Sequence, residues 1–262
     1  MSTSVLPRVS ILIPNFNNGK ASSRSGQRDF ITDLLESLYD TLATDPTPCE
    51  IRVYDDGSTD DSLPTLRQWT QRTWPDGRPF IHLTEGPHTG VLAKHANILS
   101  REARGEFLAR LDGDTVMLTP HWASILCRLF TQGPPRLGVI GPKQLRPDLR
   151  IHALGDWVLH PNGYQHIGTG LDRYAIRHPV ECDHVMGCFY CCKKAVFDDI
   201  GGYDENFLRG QTIDFGLRAR LQGWSCWAVP EIEYIHAHGE RAPRPTKADT
   251  STGIDHTLQI FR

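Results

Sequence analysis

The sequence lacks any apolar run that approaches the roughly 18 residues of a membrane-spanning helix. It also lacks an excess of basic charge, because 28 Lys and Arg residues face 31 Asp and Glu residues and the formal net charge is -3. A nucleic acid partner is therefore not expected, and any site for an anion must be local. Residues 1–9 do not combine a basic segment with a long apolar stretch, as a secretory signal would. The sequence predicts a cytoplasmic protein with no transmembrane segment, although it could associate with a membrane peripherally.

Matched pairs of cysteines are also missing. The seven cysteines are an odd number, and four of them crowd the stretch 182–192. This pattern favours reduced thiols over a disulfide framework. Cys188 and Cys191 have CxxC spacing and His184 is near them, but a structural zinc site usually needs a second such pair. We expect a buried strand with small apolar cysteines there instead.

Short apolar runs rich in β-branched residues alternate with segments of helical periodicity. Strands are predicted at 9–14, 50–54, 80–83 and 106–111, with helices at 30–39 and 91–102. Further strands are predicted at 138–141, 183–192 and 227–229, with a helix at 213–222. This alternation is typical of an α/β fold in which helices flank a mostly parallel sheet. The length of 262 residues suits a single domain of that kind.

Two acidic turns follow predicted strands. Asp55 and Asp56 come after the second strand, and Asp112-Gly113-Asp114 comes after the fourth. Ligands of such sheets bind beyond the carboxyl ends of the strands, so both turns should face one crevice. Two carboxylates separated by a small residue can surround one cation. Because Asp-Gly is also common in ordinary turns, this segment indicates a metal site only in context.

That context is a series of motifs which resembles the inverting family 2 glycosyltransferases. They are VSILIPNFN at 9–17, VYDDGSTD at 53–60, LDGD at 111–114, IGGYDE at 200–205 and LRARLQGW at 217–224. The resemblance implies the Rossmann-like GT-A fold over residues 1–240, with a nucleotide-binding half at 9–115 and an acceptor-binding half at 116–240. It also implies Mn²⁺ or Mg²⁺ as cofactor, and a nucleoside-diphosphate sugar, UDP-sugar above all, as donor. The remaining residues, 241–262, would form a C-terminal tail that is expected to be cut short.

The resemblance also assigns roles to single residues. Those implied to bind the nucleotide sugar are Pro14, Asn15, Asp55, Asp56, Ser58, Lys94, Asn97, Asp112, Gly113 and Asp114. Those implied to hold the metal are Asp112, Asp114 and His236, since imidazole suits a cation such as Mn²⁺. His238 would share a face with His236 on an extended segment, and either could be a plain surface histidine. The family's arginine before Asn97 is replaced by Ala96, so Lys94 or His95 could supply its charge.

The acceptor side departs from the family pattern. Most members carry a Glu-Asp pair whose aspartate is the general base, whereas this sequence has Gln211-Thr212. Threonine cannot accept a proton at neutral pH, although Thr212 could cap the helix that begins there. We therefore rank the candidates for the base with Asp214 first, ahead of Asp183, Asp204 and His184. If no side chain acts as base, the leaving diphosphate assists and the anomeric configuration is retained.

A further departure is the loop 17–29, which is longer than the family norm and carries Arg24, Gln27 and Arg28. It could clamp the donor phosphates or be a surface insertion. Polysaccharide, lipid-linked glycan and protein acceptors all fit the sequence. The alternative to an enzyme is a non-catalytic module that binds sugar nucleotides or glycans. A nucleotidyltransferase is disfavoured, since no glycine-rich basic loop follows the first strand.

Overall fold

The computed structural model describes residues 6–23, 26–159 and 163–237. The strands are β1 (Val9–Asn15), β2 (Lys20–Ser23), β3 (Gly26–Asp29), β4 (Cys49–Asp55), β5 (His82–Glu85), β6 (Phe107–Leu111), β7 (Thr115–Met117), β8 (Leu137–Leu145), β9 (Ile151–Ala153), β10 (Asp156–Leu159), β11 (Gly163–His166), β12 (Val180–Cys182), β13 (Phe189–Lys193) and β14 (Ser225–His236). The helices are α1 (Phe30–Leu42), α2 (Ser62–Trp69), α3 (Leu92–Glu102), α4 (Trp122–Gln132), α5 (Lys194–Ile200) and α6 (Gln211–Leu221). Arg24, His238 and the tail at 241–262 lie outside the described residues.

A ten-stranded mixed sheet forms the centre of the molecule. Its main path runs β12-β14-β8-β13-β6-β1-β4-β5, with β7 beside β14 and β9 beside β8. The strands β6, β1, β4 and β5 are mutually parallel, as are β8 and β14, while β13 runs antiparallel between the two groups. Most neighbouring pairs along the path are therefore parallel, and the predicted α/β fold is confirmed.

Apolar side chains on both faces of β1 explain why helices cover both sides of the sheet. Ile11 and Ile13 pack into one core cluster together with apolar residues of α1 and α4. Leu12 points to the other cluster, which includes apolar residues of α3, α5 and α6. Every residue of β1 is buried. The strand thus becomes the centre of the domain and delivers its last residue, Asn15, to the edge where the strands end.

Several predicted boundaries move, and some elements were not predicted. The strand expected at 80–83 lies at 82–85, and the one expected at 183–192 covers only 189–193. Residues 183–188 lie outside the central sheet, and Val185 among them packs against Gly141, where an added Cβ atom would lie 2.3 Å from the Cβ of Val185. The loop expected at 17–29 contains the hairpin of β2 and β3. The helix α4 and the short strands β9 to β12 were not predicted.

The state of the cysteines and the character of the helices bear on the predictions of reduced thiols and of no transmembrane segment. All seven cysteines carry free thiols and are buried, and two of them lie in β13, as the buried-strand interpretation requires. Within the described ranges, no helix combines the length and the apolar character needed to span a bilayer.

Candidate active site

Asn15 joins the ends of β1 and β4 at the carboxyl edge of the sheet. Its Nδ2 donates to Oδ2 of Asp55 at 2.7 Å, and its Oδ1 accepts from Nδ2 of Asn18 at 2.8 Å. Asp55 is fully buried, and its carboxylate also accepts from the backbone N–H and the hydroxyl of Ser58 at 2.8 and 2.7 Å. Pro14 precedes Asn15 within β1. The buried carboxylate of Asp55 therefore holds this turn together through its hydrogen bonds. The structure brings together the four predicted residues Pro14, Asn15, Asp55 and Ser58.

Asp56 fastens the end of β4 to the loop that precedes α3. Its buried carboxylate accepts from the backbone N–H groups of Thr89 and Gly90 at 2.7 and 2.9 Å, and Nε2 of His95 lies 3.1 Å away. Burial lowers the pKa of His95 and outweighs the opposite effect of Asp56. His95 is therefore neutral at pH 7 and does not supply a positive charge for a diphosphate. Lys94, the other candidate, is exposed on α3.

Asp112, Asp114 and His236 converge where β6 ends and β14 runs beside β7. One ligand atom from each lies within 4.8 Å of the others, and this is the one group of three such residues found in the described part of the chain. Nε2 of His236 is 3.0 Å from Oδ1 of Asp114 and 3.9 Å from Oδ2 of Asp112. Burial lowers the pKa of His236, but Cys188 and Asp114 outweigh it and raise this pKa well above its ordinary value. The three residues predicted to hold a metal are thus brought together.

Gly113 allows the turn formed by Asp112, Gly113 and Asp114 to lie directly against the turn that follows β1. A Cβ atom at Gly113 would lie 2.3 Å from Nδ2 of Asn18 and 3.1 Å from Oδ1 of Asn15. Since Asn15 also holds Asp55, both acidic turns belong to one continuous set of contacts. The two turns therefore lie side by side, and the single crevice that they were predicted to face stays a prediction.

Arg110 is a residue of this site that sequence reasoning missed. It lies on β6, is 3 % exposed, and its Nη2 donates to Oδ1 of Asp112 at 3.0 Å and to the carbonyl of Gly187. A buried guanidinium beside a carboxylate fixes the orientation of Asp112. The available signal was an arginine inside an otherwise apolar strand, two residues before the acidic turn.

Gln211 and Thr212 are buried at the start of α6. The prediction that Thr212 caps this helix is wrong, because the helix begins at Gln211 and Gly210 occupies the cap position with φ 78°. Gly210 can adopt this left-handed conformation without the penalty that a side chain would bring. Thr212 therefore lies inside the first turn, and its hydroxyl faces His184 Nε2 at 3.4 Å.

The carboxylates predicted as general bases are engaged with other groups. Asp214 is bound by Arg218 at 2.6 Å, and Asp183 pairs with Arg220. Asp204 accepts from the backbone N–H of Asn206 at 2.9 Å. Asp214 and Asp183 are thus held in ion pairs with arginines of α6.

Asn97 connects α3 with the IGGYDE segment. Its amide donates to the carbonyl of Tyr203 and to Oε1 of Glu205, both at 2.9 Å, and accepts from the backbone N–H of Tyr203 at 2.8 Å. The side chain is 1 % exposed. Asn97 thus holds Tyr203 and Glu205 against α3.

The fold and this site define the class of the protein. The family model of glycosyl transferase family 2 matches residues 10–191, more than half of the chain. The chain belongs to this family. It has the GT-A fold.

The chain is similar to one curated protein and to several solved structures. Uncharacterized protein y4gI of Sinorhizobium fredii (strain NBRC 101917 / NGR234) is 26% identical over 244 residues, which cover 88% of this chain and 24% of that protein. The structure of GalNAc-T7 with UDP, GalNAc and Mn²⁺ matches with a TM-score of 0.66 and 14% identity, over 97% of this chain and 48% of that one. The mannosyltransferase PcManGT from Pyrobaculum calidifontis, in complex with GDP-Man and Mn²⁺, matches with a TM-score of 0.58 and 18% identity, over 92% and 59%. The chain therefore spans about a quarter of its curated relative and about half of these solved chains.

Proposed function

We propose that this glycosyltransferase moves a sugar from a nucleoside-diphosphate sugar to a hydroxyl group of a glycan, lipid-linked glycan or protein, with a divalent cation as cofactor. The observation that carries the proposal is the convergence of Asp112, Asp114 and His236 beside the turn held by Asn15 and Asp55. Ligands of parallel sheets bind at this carboxyl edge. Two structures with the same fold contain Mn²⁺ together with UDP or GDP-Man, which supports this choice of ligands.

The three side chains suit a divalent cation by their chemistry. Two carboxylates and one imidazole suit Mn²⁺, and carboxylates alone suit Mg²⁺. A cation bound there would offset the negative charge that grows on the diphosphate as the sugar leaves. Arg110 keeps Asp112 in place, and Ala237 donates its backbone N–H to the carbonyl of Asp114 at 2.8 Å. These contacts thus orient Asp112 and Asp114 in the absence of a bound ion.

The two halves of residues 9–240 would bind different substrates, the donor in one half and the acceptor in the other. Pro14, Asn15, Asp55 and Ser58 form the crevice edge for the nucleoside in the half 9–115, with UDP as the first nucleotide to test. The half 116–240 would bind the acceptor along α6, where Gln211 and Thr212 begin the helix. We infer that the reaction inverts the anomeric centre by direct attack of the acceptor hydroxyl.

Release of nucleoside diphosphate tests this function even though the acceptor is unknown. Water can replace the acceptor, and hydrolysis of the donor then releases the nucleoside diphosphate. UDP-N-acetylglucosamine, UDP-N-acetylgalactosamine and GDP-mannose would each be incubated with MnCl₂ or with EDTA. We expect release from one donor with Mn²⁺ only, and a loss of at least about 100-fold in Asp114→Asn, because metal-borne charge stabilisation is worth several kcal/mol. Asp76→Asn, which alters an exposed aspartate paired with Arg78, is the control. Unchanged turnover in Asp114→Asn would remove the metal from the proposal.

A second candidate is a module that binds the donor or a glycan without catalysis. It is favoured by one observation, namely that Arg218 and Arg220 already pair with the acceptor-side aspartates Asp214 and Asp183. A donor that binds but is neither hydrolysed nor transferred to any member of a broad acceptor panel would support this candidate.

A further inference from the structure

A buried aspartate holds two histidines in the acceptor-side half. Asp156 at the start of β10 is 1 % exposed, and one of its carboxylate oxygens lies 2.8 Å from Nδ1 of His184. Its other oxygen lies 2.5 Å from Nδ1 of His166 on β11. Burial raises the pKa of Asp156, but the hydrogen bonds from both histidines outweigh it and the pKa lies below its ordinary value. Asp156 is thus ionised at pH 7, and each Nδ1 is the donor.

This arrangement fixes the tautomer of His184. With a proton on Nδ1, a neutral imidazole presents Nε2 as an acceptor. The group that faces Nε2 is the hydroxyl of Thr212 at 3.4 Å. Such hydrogen bonds are often long before substrate binds and shorten in the reacting complex. Asp156, His184 and Thr212 therefore form a line of three groups along which a proton can move.

The line ends beside the candidate metal centre. A Cβ atom on Gly187 would lie 2.9 Å from the hydroxyl oxygen of Thr212, so the two residues are in direct contact. The carbonyl of the same Gly187 accepts from Arg110, whose Nη2 also donates to Asp112 at 3.0 Å. One backbone residue and one guanidinium thus separate the threonine hydroxyl from a predicted metal ligand.

We propose that Thr212, His184 and Asp156 form the proton-accepting relay of the transfer reaction, an inference that depends on the function proposed above. The acceptor oxygen forms its bond to the anomeric carbon as its proton passes to the hydroxyl oxygen of Thr212, while the threonine proton passes to Nε2 of His184. The bond between the anomeric carbon and the diphosphate oxygen breaks, and its electron pair leaves with the nucleoside diphosphate. His184 later releases the proton to solvent, and Asp156 is a positioning residue that holds the ring.

The relay predicts how turnover depends on pH. A protonated imidazole cannot accept a proton, so the relay predicts an acidic limb in the pH profile of turnover, with the rate falling as the pH is lowered. The titratable and charged groups that surround it in the described structure are Asp156, His166, Cys182, Asp183 with its partner Arg220, and Arg110 beyond Gly187. His184→Gln should remove this acidic limb of the profile as well as lower the rate.

The test uses the full chain with MnCl₂, the three sugar nucleotides named above as donors and water as acceptor. His184→Gln and Thr212→Val should each lower nucleoside diphosphate release by about 100-fold, the usual range for loss of a general base. Their dissociation constants for the donor should stay within about twofold of the wild type. Thr212→Ser restores a hydroxyl and should keep most of the rate. His166→Gln is the matched control, because it removes the other hydrogen bond to Asp156.

Each result separates the relay from the wider function. If the wild type hydrolyses a donor and His184→Gln does so equally fast, the relay is wrong and the proposed function stands. The same holds if Thr212→Val keeps the wild-type rate, or if His166→Gln loses as much as His184→Gln. If His184→Gln does not fold, Asp156→Asn should show a lowered rate with a shifted acidic limb, and an unshifted limb would overturn the relay. A wild type that binds no donor, or binds one without turnover, removes both proposals.

Discussion

At the scale of single residues, the neighbours of Gly113 leave no room for a side chain at this position. Its missing Cβ leaves the space that Asn18 and Asn15 occupy at the junction of the two turns. We expect Gly113→Ala to displace Asn18 and to weaken Mn²⁺-dependent nucleotide binding by at least about tenfold, equivalent to 1.4 kcal/mol. Titration calorimetry with UDP or GDP and MnCl₂ measures this. Equal affinity in the variant would show that the contact between the turns does not shape the site.

Glu50 makes the stability of the fold depend on pH. Its buried carboxylate accepts from the hydroxyl of Ser10 at 2.6 Å and from the backbone N–H of Arg104 at 2.7 Å. Burial raises the pKa of Glu50, but these bonds and the charge of Arg52 outweigh it, so the folded-state pKa is depressed. This stabilisation is present above the pKa of the unfolded chain and is lost as the pH falls through the folded-state pKa.

Glu50→Gln should therefore lower the free energy of unfolding at pH 7 by about 1.5–3 kcal/mol, the range for hydrogen bonds to a charged group. The difference from the wild type should shrink below about pH 4, where the unfolded chain is protonated. Urea unfolding at pH 7 and at pH 3.5 checks both. A difference that stays constant with pH would contradict this account of Glu50.

Site residues could be predicted from the sequence wherever they follow a strand. Asp112 and Asp114 come after β6 and Asp55 comes after β4, so the carboxyl-edge rule was enough to place them together. His236 was found through the family resemblance. Asp156 could not be predicted, since its partner His184 is 28 residues away and the contact depends on how β10 packs beside residues 183–188.

At the scale of elements, α6 offers a test of the local backbone. Gly216 lies inside this helix, and a Cβ atom there would meet its nearest neighbour, the hydroxyl of Tyr190, at an ordinary 3.7 Å. We expect Gly216→Ala to raise the free energy of unfolding by about 0.5–1 kcal/mol, since glycine disfavours helix interiors. Thermal unfolding measures the change as a rise of a few degrees in Tm.

Gly202 provides the contrasting variant. It has φ +83° and a Cβ atom there would lie 2.7 Å from Oδ1 of Asn97. Gly202→Ala should lower the Tm, because both the backbone conformation and the space exclude a side chain. A fall in Tm in Gly216→Ala of similar size would contradict the assignment of Gly216 to an unstrained helical position.

Elements with strong periodicity were predictable, and those shaped by distant contacts were not. The first strand and the helices at 30–42 and 92–102 are confirmed. The strand is buried on both faces and each helix along one stripe, and the spacing of apolar residues in the sequence shows this directly. The hairpin of β2 and β3 is polar and partly exposed, so no apolar alternation reveals it. The short strands β9 to β12 owe their pairing to neighbours in the fold, such as the bridge between Asp156 and His184.

At the scale of the whole molecule, the sheet order explains why the candidate site residues meet at one edge. The parallel strands β6, β1 and β4 end beside the residues proposed to bind the nucleotide, while β13 pairs with β6 and β14 pairs with β7. Asp112, Asp114 and His236 lie where these groups meet, two of them in the turn after β6 and one at the end of β14. Donor and acceptor would therefore approach the cation from opposite halves of the chain.

Thermal unfolding with UDP or GDP, each with and without MnCl₂, tests the central claim most directly. A ligand that binds only the folded state raises its stability by about 2.7 kcal/mol at 100 times the dissociation constant. For a domain of this size, that corresponds to a Tm shift of about 5–10 °C. The account predicts such a shift for one nucleotide, present with Mn²⁺ and absent both without it and in Asp114→Asn. The same shift without Mn²⁺, or in Asp114→Asn, would contradict a metal-dependent donor site, and no shift with either nucleotide would contradict donor binding altogether.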